Sequence, residues 1–212
     1  MPEQPPAELK GVIFDLDGVL FDSLDSNIAF YNHVLGALGL PPRAHEVAHI
    51  IHREAVQGSL RALVGEGELY ERAMDYCRSM DLTPFIKELK LYPGVVDTVR
   101  ALRGRLRTAV ATNRITTARR SLAHFGLLEL FDEVVTPTEA GGVPKPEPAM
   151  MYEVLRRLGL SVEQVVYVGD SSVDEGLCQA SGVRLVAFRN PQLAAWAHLE
   201  RLSDLPALLG LA

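Results

Sequence analysis

The stretch Gly11-Val12-Ile13-Phe14-Asp15-Leu16-Asp17-Gly18 decides the fold, because a short apolar run ends abruptly in two carboxylates and a glycine. A run of this length and composition predicts a strand that is buried in a sheet. Two carboxylates at the end of such a strand are costly without a compensating charge. Capping of the next helix explains one aspartate there. Two at i and i+2, before a glycine that lets backbone amides approach a ligand, favour a ligand site.

Four further apolar runs follow along the chain, and segments of helical period separate them. This alternation is typical of a parallel sheet that is covered by crossover helices. The predicted strands are 12–15, 106–112, 133–136, 165–169 and 184–188. The predicted helices are 95–103, 116–125, 149–158 and 174–180, each followed by a glycine suited to a helix end. The predicted fold class is α/β, with a Rossmann-like, doubly wound parallel sheet core.

The spacing of the first two predicted strands indicates an insertion. A strand-helix-strand unit takes about 30 residues, whereas roughly 90 residues separate strands 12–15 and 106–112. The intervening segment has the period of helices and no clear strand. We therefore expect an α/β domain of residues 1–23 and 91–212 and an inserted α-helical domain of residues 24–90. The tail after Asn190, with Trp196 and a leucine-rich helical spacing, is expected to pack on the α/β domain.

The composition argues against several classes of protein. The chain has 212 residues, 48% hydrophobic and 23% charged, which is the balance of a soluble globular protein. A net charge of −6 without a basic run disfavours binding to nucleic acid. Cys77 and Cys178 cannot form a disulfide scaffold, and neither a signal peptide nor a membrane-spanning apolar run is found. We expect a cytoplasmic protein with no nucleic-acid or membrane partner.

Polar residues also follow the later strands, and ligands bind where the carboxyl ends of parallel strands meet. Thr112 and Asn113 follow the second predicted strand, although such residues before a helix are often only N-caps. Asp170 and Asp174 follow the fourth strand and can share one helix face. If they converge with the pair after the first strand, the four carboxylates repel one another unless a cation is present. Ligands that are all oxygen favour Mg²⁺ over zinc.

Lys145 lies in the segment Val143-Pro144-Lys145-Pro146-Glu147-Pro148, where three prolines stiffen the backbone. Most lysines are solvated surface charges. A lysine in a stiff loop is different, because it loses less entropy when it binds an anion. Carboxylates, a metal, a hydroxyl and an ammonium group together are the groups that phosphoryl transfer requires.

These motifs resemble those of the haloacid dehalogenase superfamily of phosphohydrolases. The matching segments are Asp15-Leu16-Asp17-Gly18-Val19, Thr112-Asn113, Lys145-Pro146 with Pro148, and Gly169-Asp170-Ser171-Ser172-Val173-Asp174. They stand in the family's order over about residues 10–190, and the insert resembles a cap domain of the C1 type, as in relatives of phosphoglycolate phosphatase and β-phosphoglucomutase. The resemblance implies Mg²⁺-dependent hydrolysis of a small-molecule phosphate monoester through an aspartyl phosphate.

The resemblance also implies a role for each motif residue. Asp15 would attack the phosphorus, and Asp17 would protonate the leaving oxygen and then take a proton from water. Thr112, Asn113 and Lys145 would hold the phosphoryl oxygens.

The implied Mg²⁺ site comes from the same motifs. Its ligands would be the Asp15 carboxylate, the Asp17 backbone carbonyl and Asp170. Asp174 would either bind the ion as well or contact the residues and water molecules that bind it. The acid at Asp17 argues against halide displacement, because the dehalogenating members lack it. The nearest alternative is a phosphomutase, which uses the same core. A phospho-accepting signalling receiver is a remote alternative, since receivers have no large insert.

Substrate choice is expected to lie in the insert, because the core handles only the phosphate. Arg53 or Arg61 could contact a second anionic group of the substrate, although an ordinary surface role is favoured for each. Arg114, which follows Thr112-Asn113, is a better placed candidate for a substrate contact at the rim of the site. His45, His49 and His52 have helical spacing, for which solvated or packed side chains are favoured over a zinc site. No motif selects one substrate. The expected partner is a small phosphorylated metabolite, and the chain is expected to be a monomer or a homodimer.

Overall fold

The structure is a computed structural model that describes residues 8–51 and 54–211. Its strands are β1 Gly11–Phe14, β2 Phe21–Asp22, β3 Lys90–Leu91, β4 Arg107–Ala111, β5 Glu133–Val135, β6 Val165–Gly169, β7 Arg184–Phe188 and β8 Ala197–Leu199. Its α-helices are α1 Leu24–Ala37, α2 Ala48–Ile51, α3 Val56–Val64, α4 Glu68–Ser79, α5 Thr83–Lys87, α6 Val95–Leu102, α7 Ala118–His124, α8 Ala149–Leu158, α9 Ser172–Ser181 and α10 Leu205–Leu208. Short 3₁₀ helices cover Ala44–Val47, Leu128–Leu130, Val162–Gln164 and Leu202–Asp204.

Six strands form one sheet in the order β5-β4-β1-β6-β7-β8, and every neighbouring pair is parallel. From β1 the chain builds outward through β4 to β5, and it then returns to the other side of β1 to build β6, β7 and β8. The strand order therefore reverses beside β1, which is where open parallel sheets bind ligands. The α/β, doubly wound fold class predicted from the sequence is confirmed.

The five predicted strands are all present, and none of their ends differs from the prediction by more than one residue. The tail after Asn190 belongs to the α/β unit, as expected, but its helical spacing accounts only for residues 202–208, and the edge strand β8 is not predicted. This strand has only three residues, which is too short for its period to stand out from the leucine-rich sequence around it. The short helix α10 follows it.

The sheet interior explains why β1 carries only apolar side chains. All four residues of β1 are buried, as expected for a parallel strand that is covered on both faces. On one face of the sheet, α8 and α9 pack onto a core whose members include Ile13, Ala109, Val135, Val154, Tyr167 and Leu177. Both helices end at glycines with left-handed backbone, Gly159 and Gly182, as predicted.

The chain divides into two compact units. One contains the described residues up to Phe21 and from Leu91 onward, and the other lies within Asp22–Lys90. The second unit has its own apolar core, with Tyr31, Val34 and Leu35 of α1 on one helix face. Among the described residues, no helix has both the length and the apolar character that crossing a bilayer requires.

Candidate active site

The carboxyl end of the sheet positions the residues that follow β1, β4 and β6. The backbone N–H of Asp15 donates to the carbonyl of Val168, at 2.9 Å, so the ladder between β1 and β6 continues one residue past β1. Thr112 is held in the same way, since its N–H donates to Val135 at 3.2 Å. The sheet therefore fixes the backbone of both residues before any side-chain contact is considered.

Three carboxylates converge at this edge. Asp15, Asp170 and Asp174 each offer an oxygen, and these oxygens lie within 4.8 Å of one another. Asp15 and Asp174 are buried, and Asp170 is partly exposed. Within residues 8–51 and 54–211 this is the one group of three or more His, Cys, Asp or Glu side chains found close enough to hold a metal ion. Its all-oxygen character suits a divalent cation of the Mg²⁺ type.

The prediction that four carboxylates share this volume is wrong for the side chain of Asp17. That carboxylate pairs instead with Arg114, whose Nε donates to Oδ2 at 2.9 Å and whose Nη2 donates to Oδ1 at 2.6 Å. The guanidinium neutralises Asp17 locally, so it need not join the cluster around Asp15. A contribution of the Asp17 backbone carbonyl to a metal site stays a prediction.

Lys145 is buried between two of the clustered carboxylates. Its Nζ lies 2.8 Å from Asp15 Oδ1 and 2.8 Å from Asp174 Oδ1, and it donates to the hydroxyl of Tyr167 at 3.0 Å. One ammonium group thus satisfies three partners with its three protons. The lysine that the sequence singled out is therefore part of the carboxylate cluster.

The pKa values of the cluster follow from burial and from these charges. Burial raises the pKa of Asp15 well above its ordinary value, and the carboxylates of Asp174 and Asp170 add to this rise while Lys145 opposes it. Burial alone would raise the pKa of Asp174 as well, but Lys145 and the hydrogen bonds from Ser171 and Tyr167 lower it. The two carboxylates raise the pKa of Lys145 against the effect of its burial, so it stays charged.

Asp174 is held by hydrogen bonds on both of its oxygens. Oδ1 accepts from Lys145 and from the hydroxyl of Tyr167, and Oδ2 accepts from the hydroxyl and the N–H of Ser171 and from the N–H of Asp170. The contact with Ser171 is a capping box at the start of α9. Both oxygens of Asp174 therefore already have hydrogen-bond donors, and these contacts join Lys145, Tyr167, Ser171 and the backbone of Asp170.

Asn113 fixes the loop that carries Lys145. Its side-chain oxygen accepts from the backbone N–H of Lys145 at 2.8 Å, and its Nδ2 donates to the Lys145 carbonyl at 3.3 Å. Beside it, the buried hydroxyl of Thr112 accepts from the N–H of Arg114 at 3.1 Å. The described contacts of Asn113 thus position Lys145, whereas contact of Thr112 or Asn113 with a phosphoryl group stays a prediction.

Gly18 allows the carboxylate of Asp170 to lie against the loop after β1. Its φ of +79° is in the left-handed region, and a Cβ built there would lie 2.2 Å from Asp170 Oδ2. A side chain at this position would therefore displace the carboxylate. The glycine serves close packing of two motifs in addition to the backbone turn.

A model of the haloacid dehalogenase-like hydrolases matches residues 12–188 of the chain, a range that includes every motif residue described above. The chain belongs to the haloacid dehalogenase-like hydrolase family. The family expected from the motifs is thereby confirmed, and phosphatases of this family typically use a divalent metal.

Relatives of this haloacid dehalogenase-like hydrolase cover nearly its whole length. A phosphoglycolate phosphatase of Cereibacter sphaeroides is 31% identical over 93% of this chain and 97% of its own. One of Rhodobacter capsulatus is 30% identical over 94% and 95%. The solved structure of a subfamily IA, variant 1 hydrolase from Geobacter sulfurreducens PCA has a TM-score of 0.84 and 31% identity, and the match covers 95% of this chain and 100% of that one. The chain is thus a hydrolase of the phosphatase class.

Tyr167 is the site residue that sequence reasoning missed in this hydrolase. It lies in the middle of β6, and its buried hydroxyl contacts Asp174, Lys145 and the carbonyl of Ala111. Burial raises its pKa well above the ordinary value, so it stays neutral. The available signal was a tyrosine within a wholly apolar strand, because a buried hydroxyl needs a polar partner.

Of the candidate residues of the insert, the structure describes His45, His49 and Arg61. Arg53 and His52 lie outside the described residues. His45 belongs to the 3₁₀ helix Ala44–Val47 and His49 to α2, which follows it directly, so the common face of the three histidines stays a prediction.

Proposed function

We propose that this hydrolase splits a small-molecule phosphate monoester, with Mg²⁺ as its cofactor and with an aspartyl phosphate on Asp15 as its intermediate. The observation that carries the proposal is the cluster of Asp15, Asp170 and Asp174 beside the buried ammonium group of Lys145. A carboxylate can attack phosphorus when nearby positive charge offsets its repulsion from the phosphoryl oxygens.

The carboxylate cluster fits Mg²⁺ by its chemistry. Lys145 offsets one of the three negative charges, while burial first and then the carboxylates of Asp174 and Asp170 raise the pKa of Asp15. Asp15, Asp170 and the backbone carbonyl of Asp17 would hold the ion, with Asp174 one layer further out because both of its oxygens already accept hydrogen bonds. When bound, Mg²⁺ supplies positive charge that offsets the phosphoryl oxygens and leaves Asp15 ionised.

The first half of the reaction forms the phosphoenzyme. Among the described residues, Lys145 and the N–H of Leu16 both contact Oδ1 of Asp15, so we assign the attack to Oδ2. The bond from Oδ2 to phosphorus forms as the ester P–O bond breaks. Asp17 gives its proton to the departing oxygen, which leaves as an alcohol. Lys145 and Thr112 hold the phosphoryl oxygens during the transfer.

The second half returns the enzyme to its starting state. Asp17, now a carboxylate, takes a proton from a water molecule while the water oxygen attacks the phosphorus. The bond between phosphorus and Asp15 breaks, inorganic phosphate leaves, and Asp17 again carries its proton. One difficult displacement is thus divided into two easier ones.

Specificity is proposed to come from residues 24–90, acting as a cap domain on a core of residues 1–23 and 91–212. The relatives named phosphoglycolate phosphatase make 2-phosphoglycolate the first candidate substrate. Both cysteines are free thiols, which favours the reducing cytoplasm as the place of action. We propose that the chain acts as a monomer or a homodimer.

The test is release of phosphate by the purified full chain. A panel of 2-phosphoglycolate, sugar phosphates, nucleotides and sugar bisphosphates is offered with Mg²⁺, and again after treatment with a chelator. Asp15→Asn is expected to lose at least about 10³-fold in rate while staying folded. Asp97→Asn, a substitution on the exposed side of α6, is the matched control and should retain full activity.

Acid quenching during turnover of ³²P-labelled substrate is expected to trap an acyl phosphate on the wild-type chain and none on Asp15→Asn. Full activity of the Asp15→Asn variant or of the chelated protein would contradict the proposal. Isomerisation of a sugar phosphate without release of phosphate would replace it with the phosphomutase alternative.

A further inference from the structure

Arg114 links two motifs that the mechanism treats separately. Its side chain makes two parallel hydrogen bonds to the Asp17 carboxylate, at 2.9 and 2.6 Å, across 97 positions of sequence. Its backbone N–H donates to the hydroxyl of Thr112. We propose that Arg114 is a positioning residue, which holds the acid-base carboxylate of Asp17 in one orientation beside the phosphate site. This inference rests on the proposed function, because it needs Asp17 to be the group that moves the proton.

The guanidinium of Arg114 is itself anchored. Its Nη1 donates to the hydroxyl of Thr117 at 3.1 Å, and Thr117 is a buried residue at the start of α7. With the backbone contact to Thr112, the arginine is tied at both ends to the segment between β4 and α7. An arginine that is fixed in this way transfers the rigidity of the sheet to its partner, Asp17.

The pair is also shielded from water. The side chains of Arg114 and Asp17 are 14% and 17% exposed, whereas those of the surface pair Arg61 and Glu66 are 53% and 84% exposed. An exposed pair of the second kind contributes little, because solvent screens it and both side chains lose entropy. Partial burial strengthens the two hydrogen bonds of the first pair, because solvent screens them less.

Orientation matters for Asp17 because it follows the end of β1 in a loop, one residue before the left-handed Gly18. Its carboxyl group must meet the leaving oxygen in one half of the reaction and a water molecule in the other. Ionised Asp17 accepts both hydrogen bonds from Arg114, one on each carboxylate oxygen. Asp17 can carry its proton on one oxygen while the other oxygen keeps its contact with the guanidinium, so the carboxyl group stays aligned in both halves.

The planar fork of arginine is what this role requires. A lysine at position 114 would keep the positive charge but would give a single point contact without a fixed plane. Arg114→Lys is therefore expected to recover only part of the activity that Arg114→Ala loses, and this partial recovery separates orientation from charge alone.

The experiment compares two phosphate monoesters that differ in their need for an acid. The leaving group of 4-nitrophenyl phosphate is a stabilised phenolate that departs without a proton, whereas that of glycerol 2-phosphate is an alkoxide that needs one. Arg114→Ala is expected to lower kcat for glycerol 2-phosphate about 10- to 100-fold and kcat for 4-nitrophenyl phosphate less than about threefold. KM for both esters should change less than about twofold.

A double-substitution cycle shows whether Arg114 acts through Asp17. Asp17→Asn should show the same preference for the better leaving group, and adding Arg114→Ala to it should cause no further loss. Arg157→Ala is the matched control, because it removes a partly buried arginine that contacts Glu133 and Glu153 at the opposite end of the sheet. It should leave kcat unchanged for both esters.

The outcomes separate the two proposals. If Asp17→Asn discriminates between the esters and Arg114→Ala lowers both equally, or lowers the rate further in the double variant, the positioning role is wrong and the proposed function stands. If Asp17→Asn itself fails to discriminate, the acid-base assignment is wrong and the role of Arg114 falls with it. Should Arg114→Ala not fold, Arg114→Lys gives the same readout on a chain with the charge retained.

Discussion

Two aspartates that are two residues apart in sequence meet two different cations. Asp15 shares the buried Lys145 with Asp174, in what we call the inner cluster, whereas Asp17 pairs with Arg114, in what we call the outer pair. A compact ammonium group can satisfy several carboxylates at once, while a guanidinium fork matches a single carboxylate. The inner cluster therefore balances buried charge, whereas the outer pair orients the side chain of Asp17 close to solvent.

Removing the inner cation is expected to have the largest effect. Lys145→Met keeps the length of the side chain but leaves the carboxylates of Asp15 and Asp174 without their buried partner. Breaking a buried pair in this way costs about 3 to 5 kcal/mol, so the free energy of unfolding should fall by about that amount in chelator. Urea denaturation followed by circular dichroism measures it.

The loss of unfolding free energy in Lys145→Met is compared with that of a variant of the outer pair. Arg114→Met, which removes a partly exposed partner, should cost only about 1 to 2 kcal/mol. Equal losses in the two variants would show that the inner cluster and the outer pair do not differ in the way described above.

Removal of the Tyr167 hydroxyl is expected to have the next largest effect on the free energy of unfolding. Tyr167→Phe leaves Lys145 and Asp174 each without one hydrogen bond in the core, which costs about 1 to 3 kcal/mol. Tyr152→Phe is the matched control, since Tyr152 is 51% exposed and its hydroxyl makes one long contact of 3.4 Å. Thermal unfolding of both variants provides the comparison. Similar melting temperatures would contradict a stabilising role for the Tyr167 hydroxyl in the cluster.

The raised pKa of Asp15 should make the stability of the chain depend on pH. Because its pKa is higher in the folded chain than in the unfolded one, the folded chain binds more protons between those two values, and its stability falls as the pH rises through that window. Asp15→Asn lacks this dependence. In chelator, the stability of Asp15→Asn relative to wild type should therefore increase above about pH 4, by at most about 1.4 kcal/mol per pH unit. Parallel pH curves for the two proteins would contradict the raised pKa.

The smallest expected effect on stability comes from Gly18, which joins the loop of the outer pair to Asp170. Gly18→Ala adds a methyl group 2.2 Å from Asp170 Oδ2 at a φ of +79°. Gly182→Ala has the same φ and no atom within 4 Å of its added Cβ, so it is a control for backbone strain alone. Each should cost about 1 kcal/mol for the strain. Only Gly18→Ala should also raise the Mg²⁺ concentration needed for half-maximal activity, and an equal requirement in both variants would argue against Asp170 as a ligand.

Sequence reasoning predicted those features that are local. Strand β1 and the motif after it could be recognised because burial on both faces demands apolar residues and the carboxylates end the run. The edge strand β8 was missed because three residues carry too little pattern. The contact between Arg114 and Asp17 could not be derived, because it joins residues 97 positions apart and depends on the register of two strands and the rotamers of two side chains.

The burial of Lys145 has a chemical consequence. Of the four lysines in the chain, Lys10, Lys87 and Lys90 are exposed, and Lys145 is enclosed with its ammonium group stabilised by two carboxylates. Acylating reagents attack the uncharged amine, which has a free electron pair. Acetyl donors that modify the three exposed lysines should therefore spare Lys145. The carboxylates that surround this amine thus protect it from covalent damage.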